Sequence, residues 1–187
     1  MVGETVCVVG AGPIGLFIVK IAKAMGAVKV FVSDVSEYRL NLAKQSGADY
    51  VFNPSECNVV NEVKNLTEGL GCGVVFDTSG NVKAIKQGFQ VLRKCGFMVM
   101  VGLPSEDLVL DASDDIVWKA ATVYGIHGRE IFKSWEISKN LIGSGIVKID
   151  DLLTHRFKMS EFKKGFELAE AGITGKILFY PDKIYNE

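Results

Sequence analysis

The sequence contains only two histidines, and its four cysteines (Cys7, Cys57, Cys72 and Cys95) stand far apart. No C-x-x-C pair and no Cys/His/Glu trio has the spacing of a zinc site, so no metal ligand is assigned, and isolated thiols suit a reducing compartment. Long hydrophobic runs are missing as well. Residues 6–9 are too short for a secretory core, and no stretch reaches the ~20 apolar residues needed to span a bilayer. The cytoplasm is the expected location, with no membrane partner. Charge of one sign is also absent, since 21 Lys and Arg face 22 Asp and Glu. Nothing in that balance recruits nucleic acid by its overall field.

What remains is ordinary globular composition, 48% apolar and 23% charged over 187 residues, enough for one full domain and an extension. The chain opens on the apolar run 5–9, followed at once by Gly10, Gly12 and Gly15. A short buried strand feeding a helix through such a turn is a dinucleotide-binding signature. Gly10 allows the tight turn, Gly12 leaves the backbone open to a pyrophosphate, and Gly15 permits close contact of helix and strand. Pro13 is tolerated at the first helical position, where its missing N–H has no intrahelical partner. On the helix over 13–25, Ile14, Ile18, Ile21 and Met25 are expected inward and Lys20 and Lys23 outward.

A second strand over 29–33 ends in Asp34. An aspartate there accepts hydrogen bonds from both ribose hydroxyls of an adenosine and repels a 2′-phosphate, favouring NAD over NADP; the plainer alternative is that it only begins a turn before Ser36. Arg39, on the next helix, either lies over an adenine or is a solvated helix residue. Strands over 50–52, 74–77 and 97–102 follow, alternating with helices over 59–66 and 82–92. The fourth strand ends in Asp77-Thr-Ser-Gly80, at the carboxyl edge where such sheets collect ligands, and Asp77 is read as holding its loop rather than as catalytic. A short helix over 113–119, a sixth strand over 121–126 and a helix over 129–142 come next. In the last, Phe132, Trp135, Ile137, Leu141 and Ile142 are expected in the core. The remainder reads as a short helix near Asp151, a strand over 154–158, a helix capped by Ser160 and a strand over 176–180. Unbroken alternation implies an α/β fold, a doubly wound Rossmann parallel sheet of six strands with helices on both faces, plus a C-terminal α/β tail. The expected domains are 1–143 and 144–187.

With Gly10-Ala-Gly-Pro-Ile-Gly15, Asp34, Arg39, Asp77-Thr-Ser-Gly80, Val101-Gly-Leu-Pro104, Gly125-Ile-His-Gly-Arg-Glu130, Thr154-His-Arg-Phe157 and Gly175-Lys-Ile177 in order, the chain resembles the cofactor half of the zinc-containing medium-chain alcohol and polyol dehydrogenases. Its pattern is nearest to the branch that oxidises the 3-hydroxyl of L-threonine. The resemblance implies an NAD-dependent hydride transfer, with pyrophosphate contacts at Gly12, Pro13 and Ile14, the ribose at Asp34 and the adenine side at Arg39. The nicotinamide end maps to Gly80, Val101, Gly102, Leu103, Ile126 and His127; for His127 a surface-loop role stands beside that contact. His155 is read as structural. In that family the zinc ligands, a proton relay and often a structural zinc lobe lie ahead of this region, so zinc belongs to the full-length enzyme only. No catalytic residue is assigned here, and the chain alone is expected to be inactive. Met1 is expected to mark a start set at a domain boundary, by cloning or in delineating the gene. The family pairing of sixth strands implies a homodimer through residues 121–126, and the tail is expected to pack on its own core or on a second copy. A sorbitol- or butanediol-type enzyme and a stand-alone nucleotide-binding or interaction module are the alternative readings.

Overall fold

Five β-branched or small residues, Thr5–Val9, form the central strand β1, which pairs in parallel with β2 (Lys29–Ser33) on one side and β4 (Cys72–Asp77) on the other. In a computed structural model describing residues 2–182, the sheet order is β3-β2-β1-β4-β5-β6, with β3 spanning Tyr50–Phe52, β5 Leu92–Met100 and β6 Thr122–Gly125. Every pairing in this sheet is parallel. The expected doubly wound fold is therefore present. Met1 and residues 183–187, the outer ends of the two expected domains, lie outside the described residues.

Because side chains alternate along a strand, β1 divides its residues between two cores. Val6 and Val8 pack with Leu16 and Val19 of α1 (Pro13–Ala24) and Leu40 of α2 (Glu37–Gln45). Cys7 and Val9 face Val63 of α3 (Val59–Leu66) and Ile85 and Phe89 of α4 (Val82–Val91). Phe31 stacks on Tyr50 at 5.3 Å, which fixes β3 against β2. Side-chain caps begin the three later core helices: Ser36 accepts from Arg39 N, Asn58 from Asn61 N and Asn81 from Ala84 N.

Several expected details differ. The inward face of α1 is Gly15, Leu16, Val19 and Ala22, whereas Ile14 and Met25 are exposed. Both exposed residues sit at the helix ends, Ile14 in the first turn and Met25 at the C-cap. Lys20 is not in open solvent; its Nζ pairs with Asp151 at 2.8 Å and its side chain is largely covered. After β5 the chain makes a single π-helical turn, Ala112–Val117, before β6. α5 begins at Lys133, not 129, and spans Lys133–Gly143. Its apolar stripe is not core: Phe132 is 70% exposed and Trp135 52%, and Ile137 and Ile142 are exposed too. The two rings meet edge to face at 5.9 Å, and Arg129 lies over Trp135. The stripe is amphipathic as read, but no other element of the described chain covers it.

The tail forms its own parallel pair, β7 (Leu153–Lys158) with β8 (Lys176–Tyr180), backed by α6 (Phe162–Glu170). Gly165 lies against the Phe179 ring, so α6 seats closely on the pair. Ser160 does not cap α6; its hydroxyl donates to Asp182, a 3-10 turn intervenes, and Glu161 stands at the cap position. The tail packs on its own core, as one of the two expected arrangements has it. Leu152 is fully buried in the α1/α2 core and contributes about 1.5–3 kcal/mol.

Candidate functional site

A cleft of ≈ 660 Å³ opens at the carboxyl ends of β1, β2 and β4, between the glycine turn, the β2–α2 turn and the start of α4. It lies where neighbouring strands β1 and β4 send their connections to opposite faces, the position at which open α/β sheets hold ligands. Gly10, Gly12, Asp34 and Arg39 line it.

Each of these is held by identifiable contacts. Gly10 has φ +94°, and a Cβ there would meet Thr78 Oγ1 at 2.8 Å. The Thr78 hydroxyl donates to the Gly10 carbonyl at 2.9 Å, tying the β1 turn to the β4 turn. A Cβ on Gly15 would collide with the Gly10 carbonyl, so α1 starts hard against the strand. Gly12 differs, because a Cβ there would meet nothing within 4 Å. That open space faces the first turn of a 12-residue helix, whose leading N–H groups lack intrahelical acceptors and whose dipole favours an anion.

Asp34 bridges two turns. Its Oδ2 accepts from Ala11 N at 2.6 Å and its Oδ1 from Ser36 N at 2.8 Å. Each carboxylate oxygen keeps a further lone pair for a hydroxyl donor. Arg39 is neither a solvated helix residue nor simply free to lie over a ring: its Nη2 donates to the Ala169 carbonyl at the end of α6, 3.2 Å away.

A second group of expected residues lies beyond this lining and is laced together by backbone. Asp77 is fully buried; Oδ1 accepts from Ser79 N and Ser79 Oγ, and Oδ2 from Gly80 N. Its carbonyl accepts from Val101 N at 2.8 Å and Gly102 N at 3.0 Å. Gly80 packs on the Leu103 carbonyl, and a Cβ on Gly102 would strike Gly80 N. Asp77 thus holds the β4 and β5 loops, as read from the sequence. Ile126 N donates to Met100 O at 2.9 Å, placing the end of β6 beside that edge, while Ile126 and His127 are both exposed. Pro13, Ile14 and Gly15 stand at the start of α1 next to the cleft rather than in its lining.

Val35, Pro54, Ser55, Lys83 and Gln87 also line the cleft, although no sequence motif marks them as site residues. Val35 could have been found as the residue after Asp34, and Pro54 as the end of β3. Lys83 and Gln87 reach the cleft only because α4 folds across it. Among the described residues no group of three or more His, Cys, Asp or Glu could hold a metal ion. The donor set therefore suits an anionic dinucleotide with ribose hydroxyls and does not suit zinc.

The zinc-binding dehydrogenase family matches residues 13–142, most of the sheet and its helices. The chain belongs to that family. L-threonine 3-dehydrogenase from Pyrococcus furiosus is 44% identical over 178 residues, 95% of this chain and 51% of its own length. A structure of 2R,3R-butanediol dehydrogenase from Bacillus subtilis superposes with TM-score 0.85 at 29% identity, covering 97% of this chain and 52% of that one. A zinc-binding dehydrogenase from Sinorhizobium meliloti, solved with NADP bound, superposes with TM-score 0.87 at 25% identity, covering 96% and 53%. The chain spans about half the length of the curated relatives it matches. It is an NAD-binding oxidoreductase module of the family, with no described residues placed to form a zinc centre. No helix is long and apolar enough to cross a membrane among the described residues.

Proposed function

We propose that this module holds NAD for hydride transfer from the secondary alcohol of L-threonine, and that zinc and substrate are bound by residues outside this chain. Identity of 44% across nearly all of the chain to an L-threonine 3-dehydrogenase carries the substrate reading. The structural likeness to a butanediol dehydrogenase supports the alternative, a diol or polyol substrate on the same cofactor half.

When bound, the nicotinamide supplies the hydride acceptor. The chain's own residues bind and orient: the free N–H groups at the start of α1 receive the pyrophosphate over Gly12, and Asp34 takes ribose hydroxyls through its unused lone pairs. The laced loops at Gly80 and at residues 101–103, with Ile126 and His127 beyond them, set the depth of the ring. None of these residues lowers the pKa of an alcohol, so the chain alone is proposed to bind without turnover.

Calorimetric titration with NAD and NADP tests the assignment. NAD is expected to bind, NADP to give no detectable heat, and Asp34→Ala to lose at least tenfold in NAD affinity. Because Asp34 also receives two backbone N–H groups, a thermal melt of each variant accompanies the titration, and Asp34→Ser, which keeps one acceptor oxygen, separates lost binding from lost folding. Equal affinity of the wild type for both nucleotides sinks the role of Asp34. With zinc and threonine added, steady NADH formation by this chain would overturn the division of labour.

The free edge of β6 supports a homodimer. All four of its residues are exposed, Phe97 stacks on Tyr124 along this edge, and Ile126 continues the apolar strip. Pairing two such edges would continue the sheet and cover the strip. Sedimentation velocity is expected to show a dimer that Val123→Lys converts to monomer; a wild-type monomer at high concentration removes the proposal.

A further inference from the structure

Two hydrogen bonds join positions 136 and 130 residues apart, and both start from the β2–α2 segment that borders the cleft. Ser36 Oγ donates to the Gly172 carbonyl at 2.7 Å, and Arg39 Nη2 donates to the Ala169 carbonyl at 3.2 Å. Both acceptors sit at the carboxyl end of α6, where the helix dipole favours a cation; the Ala169 carbonyl also takes Gly172 N at 3.1 Å. Gly172 adopts φ +71° just after the helix, with its Cα facing Ser36 and Arg39. The contact continues inward. Ser36 N donates to Asp34, and Asp34 receives Ala11 N of the glycine turn, so a chain of bonded groups runs from Gly172 to the turn beneath the cofactor.

The guanidinium is oriented by this arrangement. Arg39 Nε is buried and has no partner among the described residues, while Nη2 is taken by Ala169. The Nε–Nη2 edge, one of the two forks by which arginine grips a phosphate, is turned into the protein. Reading the cleft as the NAD site, we propose that the end of α6 is a specificity element: by docking Arg39 edge-inward and pinning Ser36, it withholds the Nε–Nη2 fork from a 2′-phosphate and thereby favours NAD over NADP. Asp34 supplies repulsion; the tail denies the bidentate grip that would compensate it. Ala169 and Gly172 act through Arg39 and Ser36, as positioning residues.

The test measures the ratio of NAD to NADP affinity by calorimetry in the 187-residue chain. Gly172→Val places a β-branched residue at a left-handed φ and moves the end of α6 away from Arg39. It is expected to lower the NAD/NADP ratio at least tenfold, chiefly by a gain in NADP binding. Adding Arg39→Gln to that variant is expected to abolish the gain. A purely structural loosening would weaken both nucleotides equally and leave the ratio unchanged. Should Gly172→Val fail to fold, Gly172→Ala and Ser36→Ala provide the milder release, with a ratio shift of at least threefold expected. NAD binding with an unmoved ratio in all these variants overturns this inference alone. Failure of the folded wild type to bind either nucleotide overturns the cofactor reading and this inference together.

Discussion

Gly15→Ala is expected to lower the unfolding free energy by about 3 kcal/mol and the melting temperature by about 6–12 °C. The added methyl would run into the Gly10 carbonyl, a backbone atom that cannot swing aside as a side chain can. Relief requires α1 to move off β1, which opens the Leu16 and Val19 contacts with Val6 and Val8. Alanine is the better helix former by about 1 kcal/mol, but that gain is smaller than the cost of separating helix and strand. Gly12→Ala is the informative partner. Its φ of −66° and ψ of 178° suit any residue, and its Cβ would meet no atom within 4 Å, so its melting temperature is expected to stay within about 2 °C of wild type. Its NAD affinity is expected to fall at least tenfold, about 1.4 kcal/mol, because the methyl occupies the space offered to the pyrophosphate. Two glycines three residues apart would thus fail in opposite assays. A Gly12→Ala protein that binds NAD normally would remove the pyrophosphate from this turn.

The contrast also indicates what local sequence can convey. The three glycines, the alternation of strand and helix, and Asp34 at the end of β2 are short-range features, and the structure realises each where its spacing placed it. Ends of elements and burial of particular faces depend on neighbours far along the chain. Lys20 looked like a solvent lysine because its partner, Asp151, lies 131 residues away. Arg39 is ambiguous in sequence for the same reason: what decides its direction is the Ala169 carbonyl. The apolar stripe of α5 is legible as a stripe but not as exposed, since periodicity reports that a face avoids water without saying which surface covers it. Phe132 and Trp135 stand exposed in this chain. Ile14 and Met25 show the converse error. Large and apolar residues read as inward, yet the face of α1 that meets the sheet is Gly15, Leu16, Val19 and Ala22.

Asp77→Ala is expected to cost about 3 kcal/mol and to release the loop that carries Gly80, the one proposed to face the nicotinamide. The carboxylate is fully buried and receives two backbone N–H groups and one hydroxyl, from Ser79 and Gly80. Removing it strands the amide of the buried Gly80 without its acceptor, which costs more than the net worth of a satisfied bond, and frees both Ser79 donors at the exposed lip of the loop. Asp77→Asn preserves one acceptor oxygen but turns an NH₂ toward a donor, so its stability is expected to fall between wild type and alanine. Hydrogen exchange separates this reading from a general loss of stability. Amide exchange at Ser79 and Gly80 is expected to accelerate first, while Val101 and Gly102, bonded to the Asp77 carbonyl rather than its side chain, stay protected until global unfolding. The looser loop no longer presses Gly80 against Leu103, and NAD affinity should fall with it even at temperatures where the variant remains folded. Unchanged exchange at Ser79 and Gly80 would mean that the loop is held by something other than Asp77, and the assignment of that residue as the organiser of the β4 and β5 turns would fail.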